Sequence, residues 1–262
     1  MRRASPWPIW WRLEIARNGG RYDVSMASEA LLGGSIGVLA AGGFLGYAVR
    51  GRSASVFGPS VYHGDRSRAS IALTFDDGPS ESTPALLRIL DRHQVPATFF
   101  MCGQNVERLP AVAQSVVQAG HEIGNHSDSH PRFDFCSSDF IYSELAVAQE
   151  KIVRHTGVTP KLFRAPYGVR WFGLKSAQQR LGLLGVMWGT IGNDWKWPAS
   201  RVAALLLGRA RQGHIFCLHD GRRTEPSPDI GATLDAVDAV IPVLKERGLR
   251  FETVSQILCP TS

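Results

Sequence analysis

From residue 69 onward the chain alternates between short apolar runs and longer amphipathic stretches. The apolar runs fall at about 70–75, 97–101, 121–124, 162–164, 184–188, 214–218 and 250–252. Each is the length of a buried strand and is rich in β-branched or aromatic residues. Between most of them lie helical patterns with readable ends. "TPALLRILDRH" offers Thr83 as an N-cap, with Pro84 at the first helical position. "SSDFIYSELAVAQEKIVRHTG" has Ser138 to cap it and Gly157 to stop it, and "ASRVAALLLGRARQG" and "IGATLDAVDAVIPVLKERG" each end at a glycine. Strands alternating with helices predict parallel β/α units. Seven strands without an internal repeat favour barrel-like closure in one domain.

The polar residues gather where this pattern breaks. Asp76 and Asp77 follow the first run, "GNHSDSH" the third, "RAPYG" the fourth and "GTIGNDWKW" the fifth, while "LHDG" ends the sixth. In a parallel barrel the C-terminal ends of the strands share one face, where active sites form. Five clusters at the same end of five strands point to that face.

The N-terminal region reads differently. After a tail over 1–29, residues 30–49 carry no charge and are mostly apolar, though six are glycine. At about 1.5 Å per residue, twenty such residues just span a bilayer, so a transmembrane or signal-anchor helix is expected there. A cleaved signal peptide or a Gly-rich leader are the alternatives. Arginines on both sides leave orientation open. Residues 50–67 read as a linker leading into the alternating region.

Charge changes the picture little. The formal net charge is +6, but residues 1–68 hold nine arginines against four acids, leaving about +1 for the remainder. A basic stripe interleaved with aromatics is absent, so no nucleic-acid partner is expected. Cys102 and Cys217 lie in apolar runs and read as buried small hydrophobes. With Cys136 and Cys259 they form no C-x-x-C pair, so neither a structural zinc site nor a redox motif is indicated.

His126 and His130 are four apart, so their rings converge if the segment turns helically. Two imidazoles and one carboxylate suffice for a catalytic divalent metal with positions open to water. Zinc is the default, and cobalt, nickel or iron also suit the set. Asp128, inside the motif, is expected to face solvent.

"TFDDGP", "HSDSH", "RAPYG", "NDW" and "LHD", in this order, resemble the five motifs of the family 4 carbohydrate esterases, the polysaccharide deacetylases with a NodB-homology domain. "VPATFF" and "GHEIGNH" are similar to further family stretches. The resemblance covers roughly residues 68–258. It implies a distorted (β/α)7 barrel and metal-dependent removal of acetyl groups from N-acetylglucosamine polymers or acetylated xylan. Residue by residue, it implies that Asp77, His126 and His130 hold the metal and that Asp76 is the general base. Arg164 would hold Asp76, and the Tyr167 N–H would help bind the oxyanion. Asp194 would partner His219, the general acid, and Trp195 and Leu218 would line the acetyl pocket.

One departure stands out. Many members carry an acid three residues before the "DW" aspartate, and here that position is Ile191. Trp197 is a further candidate sugar platform, and Arg222 and Arg223 are expected to be solvated.

The reading is a monomeric catalytic domain hydrolysing the N-acetyl amide of a peptidoglycan or chitooligosaccharide, anchored in the membrane and facing outside the cytoplasm. Secretion or a cytoplasmic location are the alternatives. Alternative activities are an O-acetyl esterase of the acetylxylan type, a cyclic-amide hydrolase, or a non-catalytic carbohydrate-binding relative.

Overall fold

The computed structural model describes residues 39–258. The chain divides into a unit ending at Leu45 and a second beginning at Gly46, and the second carries the sheet and every residue of the site. Nine strands build the sheet: β1 (Ser60–Val61), β2 (Ser70–Gly78), β3 (Thr98–Met101), β4 (Glu122–Asn125), β5 (Leu162–Phe163), β6 (Leu184–Val186), β7 (Thr190–Ile191), β8 (His214–His219) and β9 (Arg250–Phe251). Their order is β1-β6-β5-β4-β3-β2-β8-β7, with β9 also on β2. All the ladders are parallel. Among the described residues no ladder joins β1 to β7. The sheet is therefore a curled half-barrel flanked by helices, consistent with a distorted (β/α)7 barrel.

All seven apolar runs became strands. The two additional strands, β1 and β7, are two residues long and half-buried, too short to leave a periodic signature. β1 lies inside the stretch read as a linker, and it pairs Ser60 with Gly185 and Val61 with Val186. Residues 39–50 are helical, while residues 30–38 of the expected membrane helix lie outside the described residues. Among the described residues, no helix is long and apolar enough to cross a membrane.

The centre is β2, with all nine residues buried. Its alternation sends Ile71, Leu73 and Phe75 to the helix side. There they join Leu86, Ile89 and Leu90 of α1 (Thr83–Arg92), and residues such as Val237, Val240 and Ile241 further along, in the main core. Ala72 faces the other way, into a smaller cluster with Phe100, Val186 and Ile215 inside the curl. Thr74 and Asp76 follow Ala72 in the alternation, so they enter the same interior.

Two expected helix caps shifted by one residue. Ser137, not Ser138, caps the long helix Ser138–Thr156 by accepting from the Phe140 N–H, and Gly157 closes it at φ 74°. Thr83 opens α1 without capping it. Its hydroxyl accepts from the Ser80 N–H and donates to Asp220 Oδ2 at 2.6 Å.

Candidate active site

The two adjacent aspartates diverge because β2 bulges between them. Asp76 pairs with Phe100 and Gly78 with Met101, so Asp77 is an extra residue in the ladder. Simple alternation would send Asp77 to the helix side. The bulge, with φ 71° at Asp77, re-aims its carboxylate to the rim. Gly78 beside it has no room for a side chain, because the Asp220 carboxyl packs against its Cα.

Asp77 Oδ1 lies 3.3 Å from His126 Nε2 and 3.0 Å from His130 Nε2. The histidines do not sit on a helix as the i, i+4 spacing suggested. They lie in a loop with left-handed residues at Ser127 and His130. That loop is tied down by Glu144, whose carboxylate accepts from the amides of Asp128 and Ser129 and from the Ser129 hydroxyl. Asn125 Oδ1 accepts from the Ser127 N–H. Asp128 does not simply face solvent, since Lys151 Nζ holds it at 2.9 Å.

Arg164 links two halves of the site. Its side chain is fully buried. One guanidinium nitrogen donates to Asp76 Oδ1 and to Thr74 Oγ1, both at 2.6 Å, and Nε donates to the Val186 carbonyl at 3.0 Å. Its own carbonyl accepts from His126 Nδ1 at 2.7 Å, which turns His126 Nε2 toward Asp77.

His219 ends β8 opposite Asp76 in the register. Its Nδ1 is 2.9 Å from Asp194 Oδ1, and its N–H donates to Asp194 Oδ2 at 2.8 Å. Thr233 Oγ1 donates to the same Oδ2. Burial alone would lower the His219 pKa. The carboxylates of Asp194, Asp77 and Asp76 outweigh it and raise the value to about 9. Burial would raise Asp194, but the His219 interaction holds it below the usual range. Asp76, Cys217 and His219 each present a ligand atom within 4.8 Å of the others.

A cleft of about 450 Å³ joins these groups. Asp76, Asp77, His126, His130, His219, Tyr167 and Trp195 line it. Tyr167 adopts φ 58° in a tight turn, and its amide carries no hydrogen bond among the described residues. Its ring meets His130 edge-on at 4.7 Å, as Trp195 meets His219 at 4.9 Å. Leu218 does not reach the cleft. It pairs with Phe75, points the same way, and is fully buried in the main core. Ile191 takes part in the lining with Trp188 and Cys217. Trp188, Cys217 and Thr233 went unread in the sequence as site residues. Cys217 was legible in principle, since strand alternation puts it on the same face as His219.

The Asp77, His126 and His130 donors fit a divalent cation. Their ligand atoms lie within 4.8 Å of one another, and Asp77 Oδ1 is buried without a hydrogen-bond partner among the described residues. Burial would raise the Asp77 pKa, but the two imidazoles hold it well below the carboxylate range, while burial lowers His130. An ionised carboxylate and a neutral imidazole are the forms that bind metal.

A carboxylate clamped by a buried arginine stands within 4.8 Å of a cationic histidine, beside a three-donor cation site. That arrangement puts a base and an acid on one cleft, as hydrolysis of an acyl group requires. The family pattern for polysaccharide deacetylases matches residues 63–186. The chain is 35% identical over 197 residues to the peptidoglycan-N-acetylglucosamine deacetylase of Bacillus cereus, covering 74% of this chain and 70% of the relative. It is 33% identical to a chitooligosaccharide deacetylase of Bradyrhizobium sp., covering 72% and 90%. The crystal structure of the Bc1960 peptidoglycan N-acetylglucosamine deacetylase superposes with a TM-score of 0.72 at 32% identity, over 76% of this chain and 92% of that one. The chain belongs to the polysaccharide deacetylase family, and is a hydrolase of that family.

Proposed function

We propose that this protein hydrolyses the N-acetyl amide of N-acetylglucosamine residues in a poly- or oligosaccharide, releasing acetate, and that the reaction depends on a divalent metal. One observation carries the reading: Asp76 and His219, each held by its own buried partner, face one cleft beside the Asp77, His126 and His130 donors.

A cation held by Asp77, His126 and His130 would supply Lewis acidity toward the acetyl carbonyl and the attacking water. Asp76 accepts the proton of that water as it attacks the carbonyl carbon. Arg164, donating to Asp76 Oδ1 at 2.6 Å, keeps that carboxylate aimed for this. The free Tyr167 N–H meets the oxygen on which negative charge develops. His219 then donates its proton to the sugar nitrogen as the carbon–nitrogen bond breaks. Acetic acid and the free amine leave and ionise to acetate and ammonium, and the proton on Asp76 returns His219 to its cationic form through solvent.

The test is acetate release from chitooligosaccharides and from peptidoglycan, with and without a chelator. Loss of release on chelation and its recovery on adding metal back support the reading. Turnover untouched by exhaustive chelation would sink the metal dependence. We place the domain outside the cytoplasm, attached through residues 30–49. That rests on the charge-free run alone, and fractionation of the full-length chain tests it.

A further inference from the structure

The cleft has an uneven rim. Arg50, Arg132, Arg222 and Arg223 line it, with Glu225 as the acid among the lining loops. Two of the four arginines are already engaged. Arg132 pairs with Asp134 through Nε at 3.1 Å and a terminal nitrogen at 2.5 Å. Arg222 donates to the carbonyls of Gly221 and Asp229 at 2.8 and 3.1 Å. Arg50 and Arg223 form no ion pair among the described residues, and both are exposed.

Both are nonetheless held in place by their backbones. Arg50 lies between two anchored carbonyls. The Val49 carbonyl accepts from the Arg170 N–H at 3.0 Å, and the Gly51 carbonyl accepts from the Arg170 guanidinium, which also holds the Ala54 carbonyl. Arg170 is itself buried. Arg223 donates its N–H to Asp77 Oδ2 at 2.8 Å, and its carbonyl accepts from Asn105 Nδ2 at 2.7 Å. Its φ of 52° is one that non-glycine residues keep only where their surroundings enforce it. Its guanidinium carbon stands 6.0 Å from the centre of the Tyr167 ring. A merely solvated arginine needs no such anchoring. General basicity does not explain Arg223 either, because residues 69–262 carry a net charge near +1.

We propose that the cleft selects an acidic glycan, in which the N-acetylated sugar is linked to a neighbour bearing a carboxylate that Arg50 and Arg223 receive. Guanidinium groups match carboxylates through paired N–H donors. A neutral N-acetylglucosamine oligomer leaves Arg50 with only the charge of Asp134, already paired to Arg132, and Arg223 with only the Tyr167 ring face. The proposal deepens the deacetylase reading and rests on it. A phosphodiester on the glycan presents related oxyanion chemistry, so the test separates the two.

The experiment compares kcat/KM for acetate release on four glycans of matched length. They are peptidoglycan strands with free carboxylates, the same strands with the carboxylates amidated, amidated strands bearing phosphodiesters, and chitooligosaccharides. The free-carboxylate strand should be preferred over its amidated form, and rising salt should weaken the preference. In Arg223→Gln and Arg50→Gln the preference should fall about three- to tenfold each, through KM rather than kcat. Arg223→Lys should restore part of it. A purely structural role would lower all substrates together and leave their ratio unchanged. Equal rates on free and amidated strands, or a preference unchanged in both Gln variants, overturn the proposal. Preference for the phosphodiester strand overturns the carboxylate assignment. Absence of acetate from all four glycans refutes the deacetylase reading instead.

Discussion

Replacing Asp194 by asparagine tests the acid half of the mechanism. The substitution keeps an oxygen near His219 Nδ1 and removes one negative charge 2.9 Å away. In the native site His219 is raised from 6.5 to about 9, although burial pulls it down. At about 1.4 kcal/mol per pKa unit, the net preference for the imidazolium is on the order of 3 kcal/mol. Asp194 is the largest of the groups that raise it, so its loss moves His219 down toward its ordinary value of 6.5, against the remaining pull of Asp77 and Asp76. At pH 8 the protonated fraction then falls from about 0.9 toward a limit of about 0.03, at most a thirty-fold loss of the acid form. The assay is the pH dependence of kcat/KM on a chitooligosaccharide, in which the alkaline limb should move down by about 1–2 units. A bound cation lowers His219 in both proteins, so the difference between the two limbs is the readout. Stability follows the same sign. Because the folded pKa is raised, the His219 contribution is complete below about 6.5 and is lost as pH rises through about 9. In Asp194→Asn that loss should be absent. An alkaline limb at the same pH in an active Asp194→Asn enzyme would refute the pairing as the source of the acid.

The remaining tests address other parts of the site. His126→Ala should lose most bound metal by elemental analysis, whereas Asp76→Asn should retain it and lose about 10²–10⁴-fold in kcat; equal metal content in the two would break the division between binding and base. Arg164→Met leaves the Asp76 carboxylate buried without its cation and should destabilise the fold by about 3–5 kcal/mol in urea unfolding. A change below about 1 kcal/mol would show that Asp76 finds another partner. Full-length protein recovered wholly in the soluble cytoplasmic fraction would rule out anchorage through residues 30–49.

Much of the architecture was readable from hydrophobic pattern alone. Seven apolar runs marked seven strands because a strand buried on both faces needs an unbroken apolar stretch, and such a stretch survives in one dimension. The polar residues that interrupt those runs marked the strand ends, and with them Asp76, Asp77, His126, Arg164 and His219. β1 and β7 could not be read this way. Each contributes two residues and is recruited by the edge of a sheet that distant segments have already built.

Side-chain direction was decided by tertiary structure. The sequence places Asp76 and Asp77 side by side, and only the bulge against β3 sends one inward to Arg164 and the other to the rim. The spacing of His126 and His130 suggested a helical turn, whereas a loop tied by Glu144, fifteen residues or more away, brings the rings together. Leu218 lies next to His219 yet faces the opposite side, since strand neighbours alternate. Arg50 precedes the domain as read from the sequence, and the buried Arg170 fastens it to the cleft wall. Motif order carries the chemistry because each motif is local. Charge, pKa and substrate contact arise between segments, and those distances exist only after folding.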